Sequence, residues 1–119
     1  MKINDVQAAI WATEFLLQDR KNWTRCAFAR NGRNIPVDIL DEDAVCWCQE
    51  GAAALSGLGF IDHRATRPAR QAAASVILGW AFPNAAITED PSVVLNDSEL
   101  FDHADVLKML AIAFELAAT

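Results

Sequence analysis

Apolar side chains return every three or four positions over the first stretch of the chain. Ile3, Val6, Ile10, Thr13 and Leu17 form one stripe, and Trp11 and Phe15 widen it. That spacing predicts an amphipathic helix capped by Asn4 or Asp5, with Arg20 and Lys21 suited to its negative pole. A second stripe, Val45, Cys48, Ala52 and Leu55, predicts a helix opening at Asp41 or Asp43 and closed by Gly57 and Gly59. A third starts near Pro68 and runs through Ala69, Ala73, Val76 and Trp80, with Pro83 as its stop. The last helix is expected over residues 98–118, capped by Ser98. Its broad face carries Leu100, Phe101, Ala104, Leu107, Leu110, Ala111 and Phe114. Residues 84–97 read as a linker.

The pattern between the first two helices supports two readings. Asn31-Gly32 separates two apolar stretches and suggests a β-hairpin, with Phe28 opposite Ile35 and Cys26 opposite Val37. Pro36 would hold its strand at an edge. Residues 23–30 could instead form a short helix capped by Asn22. The fold expected is therefore mainly α, one compact four-helix domain over residues 1–119, with either a small β-hairpin around Asn31-Gly32 or an extra turn packed at one end.

Composition narrows the class. An apolar fraction of 53% over 119 residues supports one core. No apolar run approaches the ~20 residues of a membrane span, and the N-terminus lacks a signal-peptide pattern, so a cytoplasmic location is expected. The net charge of −6 argues against general affinity for nucleic acid. Bases cluster at Arg20, Lys21, Arg25, Arg30 and Arg33, and again at Arg64, Arg67 and Arg70. Acids from Glu89 to Asp105 fill the last third. The three cysteines, Cys26, Cys46 and Cys48, are expected to be reduced. The latter two lie two apart on the expected helix and project on opposite sides.

Two segments exceed what a generic helical domain needs. One is Ala44-Val45-Cys46-Trp47-Cys48-Gln49-Glu50-Gly51-Ala52; the other is Asn96-Asp97, followed by His103 and Val106-Leu107. With Trp23 ahead of them, their order resembles a small bacterial and phage protein family of unknown function. That family's motifs are Trp-Cys-x-x-Gly-Ala and a Trp-Asn-Asp turn before the final helix. The resemblance spans Trp23 to the C-terminus and departs at Leu95, where the family pattern has Trp. It implies relatedness, with no activity, substrate or cofactor attached.

Candidate chemistry is sparse. Cys46 or Cys48 with His103, oriented by Asp97 or Asn96, has the residue types of a thiol nucleophile and base, but no local signature of a cysteine hydrolase surrounds them. The Cys and His residues lack the spacing of a zinc site, and no metal or cofactor is expected. Asn96-Asp97 reads as a cap for the last helix, or as the wall of a polar pocket with His103 and Trp47. Trp11, Trp47 and Trp80 read as core, and Trp23 as an exposed anchor. Arg64, Arg67 and Arg70 either share a face that holds an anion or pair with acids such as Asp62. Trp23, Trp47, Asn96, Asp97 and His103 are thus the candidate binding residues, with no catalytic residue assigned. The expected function is a non-enzymatic protein-binding or regulatory protein with a protein partner and a tendency to form homo-oligomers, and without nucleic-acid or membrane binding. The alternative is a small cysteine-dependent or ligand-processing enzyme using Cys46 or Cys48 with His103.

Overall fold

The computed structural model describes residues 2–84 and 90–118. Among these, α1 (Asp5–Leu17), α2 (Gln49–Ser56), α3 (Arg67–Ala81), α4 (Pro91–Asp97) and α5 (His103–Leu116) are helical. Strands β1 (Ala29–Asn31), β2 (Pro36–Val37) and β3 (Ala44–Trp47) form one antiparallel sheet in the order β2-β1-β3. The architecture is mainly α with a small sheet, and the described residues carry five α-helices where the sequence pattern suggested four. No helix among the described residues is long and apolar enough to cross a membrane.

α1 starts as its sequence demands. Asn4 accepts from the Gln7 N–H at 2.8 Å, and the Gln7 side chain accepts from the Asn4 N–H at 3.1 Å, a reciprocal cap. The same two side chains hold the far end of α5: Asn4 Nδ2 donates to the Ala117 carbonyl and Gln7 Nε2 to that of Phe114. At the opposite end, His103 Nε2 lies 2.5 Å from the Leu17 carbonyl. A carbonyl only accepts, so Nε2 carries the proton. The antiparallel pair α1–α5 is thus clamped at both ends. Between the clamps, Ile10 and Leu17 pack with Val106, Met109, Leu110 and Ala113, and α3 closes the core with Ala73, Ala74, Ile77 and Leu78. Arg20 and Lys21 fall beyond α1, in a separate 3-10 turn that Asp19 caps.

The helix expected to open at Asp41 or Asp43 begins only at Gln49. Asp38 and Asp41 use their carboxylates on the Leu40 and Asp43 N–H groups, local bonds that compete with helix formation. Ala44–Trp47 pairs with β1 instead. Cys46 and Cys48 therefore sit on a strand and at a helix cap, where Cys48 Sγ accepts from the Gly51 N–H at 3.3 Å. Of the stripe assigned to that helix, Val45 is exposed and Ala52 is buried.

The hairpin forms with another register. Ala29 pairs with Val37 and Arg30 with Pro36, leaving Phe28 and Ile35 exposed. Asn31 Oδ1 accepts from the Arg33 and Ile35 N–H groups, and Asn34 takes the left-handed conformation with φ 63°. The turn therefore runs beyond the two residues of a tight Asn-Gly turn. Pro36 does lie on an edge strand.

The other differences lie in helix phase, helix boundaries and the burial of single tryptophans. α3 buries Arg70, Ala73, Ala74, Ile77 and Leu78, so Val76 and Trp80 face outward. Trp11 and Trp80, expected in the core, are 57% and 64% exposed; Trp11 stacks on Phe15, and Lys108 lies over Trp80. Trp23, expected to be exposed, is half-buried against the core. The expected linker contains α4, capped by Asp90, while residues 85–89 lie outside the described residues. Asn96 and Asp97 end α4 and do not cap the last helix. That helix starts at His103, where Asp102 and Asp105 form a reciprocal cap.

α2 lies against the chain entering β1 so closely that a Cβ on Gly51 would stand 2.1 Å from the Phe28 carbonyl oxygen. Gly79 has nothing within 4 Å of such an atom. Gly51→Ala is expected to destabilise the fold by about 3 kcal/mol. Gly79→Ala, in the exposed interior of α3, is expected to stabilise it by about 0.5–1 kcal/mol. Urea unfolding of the two variants checks both signs.

Candidate functional site

The segment after the 3-10 turn runs beside β3, with Trp23 and Trp47 bridged in parallel and the Thr24 N–H donating to the Trp47 carbonyl at 3.0 Å. This places the Trp23 indole against α4, where Nε1 donates to Asn96 Oδ1 at 2.8 Å. The same oxygen accepts the Gln49 N–H at 3.1 Å. Asn96 Nδ2 donates to the Thr24 carbonyl at 3.2 Å and to Asp97 Oδ1 at 2.8 Å. Asp97 Oδ1 also accepts the Cys26 N–H at 2.9 Å, which holds Cys26 at φ 60°. Buried amides need partners, and this one has four.

Of the candidate residues, Trp23, Asn96 and Asp97 meet directly. His103 approaches Trp23 with ring centroids 5.8 Å apart, and its Nε2 is taken by the Leu17 carbonyl. Trp47 adjoins through the backbone and turns its own Nε1 toward the Ile39 carbonyl at 3.3 Å. Asp97 lines an open cleft whose walls include neither Trp47 nor His103, so these three do not share that cavity.

A second polar network was missed by the sequence pattern. Arg70, fully buried in α3, donates to Gln49 Oε1 at 2.5 Å, Glu50 Oε2 at 2.6 Å and Thr66 Oγ1 at 2.9 Å. Arg67 donates to Glu50 Oε1 at 2.8 Å, and His63 Nε2 lies 3.2 Å from the same oxygen. Gln49 Nε2 donates to Ser92 Oγ at 3.0 Å, which donates to Asp90. Burial pushes the Glu50 carboxyl up, but hydrogen bonds and charge from Arg70 and Arg67 outweigh it and hold the group below its ordinary 4.5. A signal was present: Arg70, Ala73, Ala74, Ile77 and Leu78 form a three-four stripe one position out of phase with the expected one. Arg64 pairs with Asp62.

Above these networks lies the cleft, about 870 Å³. Phe28, Pro36, Val37 and Val93 give it apolar walls; Asp38, Glu50, Asp90 and Asp97 face one basic side chain, Arg67. Glu50 and Asp90 are both held below the ordinary carboxylate range. Burial works against this in Asp90 too, and hydrogen bonds from Gln71, Ser92 and Val93 overcome it. Cys26 and Cys48 border the cleft. Burial pushes the Cys48 thiol up; N–H groups of Gly51 and Glu50 oppose this, and the charges of Asp97 and Glu50 add to it. Such a thiol is a poor nucleophile at neutral pH. Among the described residues, the hydrogen bonds of the Cys46 and Cys48 sulfurs run to the Arg30 carbonyl and the Gly51 N–H, not to His103. No group of three or more His, Cys, Asp or Glu side chains among the described residues is placed to hold a metal ion.

Asn96→Ala should cost about 3 kcal/mol, because the Trp23 and Gln49 N–H groups lose their acceptor. Equilibrium unfolding measures it. A carboxyl whose pKa is lowered by folding stabilises the fold above its unfolded value of 4.5, and that contribution is lost as pH falls through the folded value. Stability is therefore expected to drop on acidification, and less steeply in Glu50→Gln; urea unfolding across a pH series reads both slopes. No family model, curated protein or solved structure matches this chain.

Proposed function

We propose that the chain is a non-enzymatic binding module acting in the cytoplasm, and that the cleft beside Glu50 and Asp97 receives an extended protein segment. The segment presents a lysine or arginine next to an apolar side chain. One observation carries this reading: an open cleft with apolar walls whose charged lining, among the described residues, is four carboxylates and one arginine. Glu50 is spent on Arg67 at 2.7 Å and Arg70 at 2.6 Å, so the carboxylates left to a ligand are Asp38, Asp90 and Asp97, and their field is negative. The walls come from strand, loop and helix ends pinned by buried hydrogen bonds, and a preformed surface reduces the ordering cost of binding. The motif resemblance to the bacterial and phage family fits this proposal as relatedness and adds no activity.

Panning a random peptide display library on the folded chain, under reducing conditions, tests the reading. Selected sequences are expected to combine a basic with an apolar residue and to bind about tenfold more weakly to Phe28→Ala, an exposed aromatic wall residue of a type enriched at interfaces. Asp38→Asn, which keeps the local turn bond to Leu40, should weaken them further in low salt. Acidic consensus peptides, or binding indifferent to both substitutions, would refute it.

A further inference from the structure

We infer that a second recess, across the Thr24–Cys26 segment from the cleft, is an anion site that takes a single phosphate group. It measures about 450 Å³ and is lined by Arg20, Arg25 and Arg30 together with Trp23. Arg25 lies with its guanidinium 4.7 Å from the centre of the Trp23 ring and donates Nη2 to the Phe101 carbonyl. Arg30 donates Nη1 to the Asn34 carbonyl at 3.0 Å and Nη2 to the Arg25 carbonyl at 3.2 Å. Both groups are thus fixed by neutral acceptors, which position a guanidinium without cancelling its charge.

Among the described residues, Lys21, Arg64, Arg67 and Arg70 each pair with a carboxylate, while Arg20, Arg25 and Arg30 pair with none, as is true of Lys2, Arg33 and Lys108; what sets the three apart is that they line one recess. The chain has 16 acidic and 10 basic residues, so acids are not in short supply. Arg25 Nε is moreover the one buried side-chain donor among the described residues without an acceptor. A buried guanidinium N–H left without an acceptor is costly; the group as a whole is half-buried and lines the recess. Asp97 and Glu99 also border the recess and temper its field. Asp97 is occupied by the Cys26 N–H and the Asn96 amide. Arg20 acts on Asp102 through space, one of the smaller influences on that exposed carboxyl. What remains suits one compact oxyanion and, with a net charge of −6, not a nucleic-acid backbone. Three guanidiniums around one small recess match the oxygens of a phosphate monoester through forked, charge-assisted hydrogen bonds.

The phosphate has two sources, a free small molecule or a phosphorylated side chain of a protein segment, and both carry the same recognised group. The observations here are independent of the cleft, although Cys26 and Asp97 border both cavities. The test is a nitrogen-15 NMR titration of the full chain at constant ionic strength. Inorganic phosphate is added first, then a phosphoserine peptide beside its unphosphorylated form. The Arg25 and Arg30 Nε–H and Trp23 indole signals are followed. Saturable shifts at these groups are expected, weakened about tenfold in Arg20→Gln, an exposed residue whose loss spares the fold, and likewise in Arg30→Gln. Saturation by inorganic phosphate equal to that by the peptide identifies a free phosphate; a clear preference for the phosphopeptide over both controls identifies a modified side chain. Shifts that do not saturate with either ligand, or that persist unchanged in Arg20→Gln and Arg30→Gln, overturn the site.

Discussion

The amide of Asn96 uses its oxygen and its nitrogen twice each, and the four bonds reach segments far apart in the chain: Trp23 and Thr24 before the sheet, Gln49 at the start of α2, and Asp97 beside it. Because Asn96 is buried, its own amide cannot fall back on water. Their relative positions are therefore tied together. The sheet end, the first turn of α2 and the last turn of α4 behave as one joint, and the cleft and the arginine recess are both built around it.

Gln49 carries the joint onward. Its backbone N–H belongs to Asn96, while its side chain bridges Ser92 and Arg70. Arg70 in turn binds Glu50, whose other oxygen meets Arg67 and His63. A buried ion pair is weak evidence for net stability, since desolvation offsets much of the attraction, yet removing one partner leaves a costly unpaired charge. Its value here is positional. Arg70 lies among the small and aliphatic side chains of α3, and its charge can be accommodated only if α2 arrives with Gln49 and Glu50 in register. The absence of a side chain at Gly51 then lets the helix lie against the Phe28 carbonyl.

The two cavities differ in sign while sharing a wall. Carboxylates dominate the cleft, and unpaired guanidiniums line the recess. Between them runs the short segment carrying Cys26, whose φ of 60° is uncommon for a residue with a Cβ and is held by the bond to Asp97. Backbone in this conformation persists where surrounding contacts over-determine it, and here those contacts come from α4.

Much was legible from sequence because it rests on local physics. The Asn4 cap, Pro68 in the first turn of α3, the edge placement of Pro36 and the predominance of helix follow from side-chain spacing and backbone chemistry within a few residues. Trp23, Asn96 and Asp97 stood out as residue choices, but the sequence could not say that they touch, since 73 positions separate Trp23 from Asn96. Where local signals competed, tertiary pairing decided. The acidic opening at Asp41 looked like a helix start until Ala44–Trp47 found β1 as a strand partner. Two apolar stripes one residue apart were available in α3, and the one containing Arg70 was buried because Glu50 and Gln49 awaited it on another element. Helix type is set by intervals of three and four residues along the chain; helix phase, and with it the identity of the buried charge, is set by whatever the helix must face.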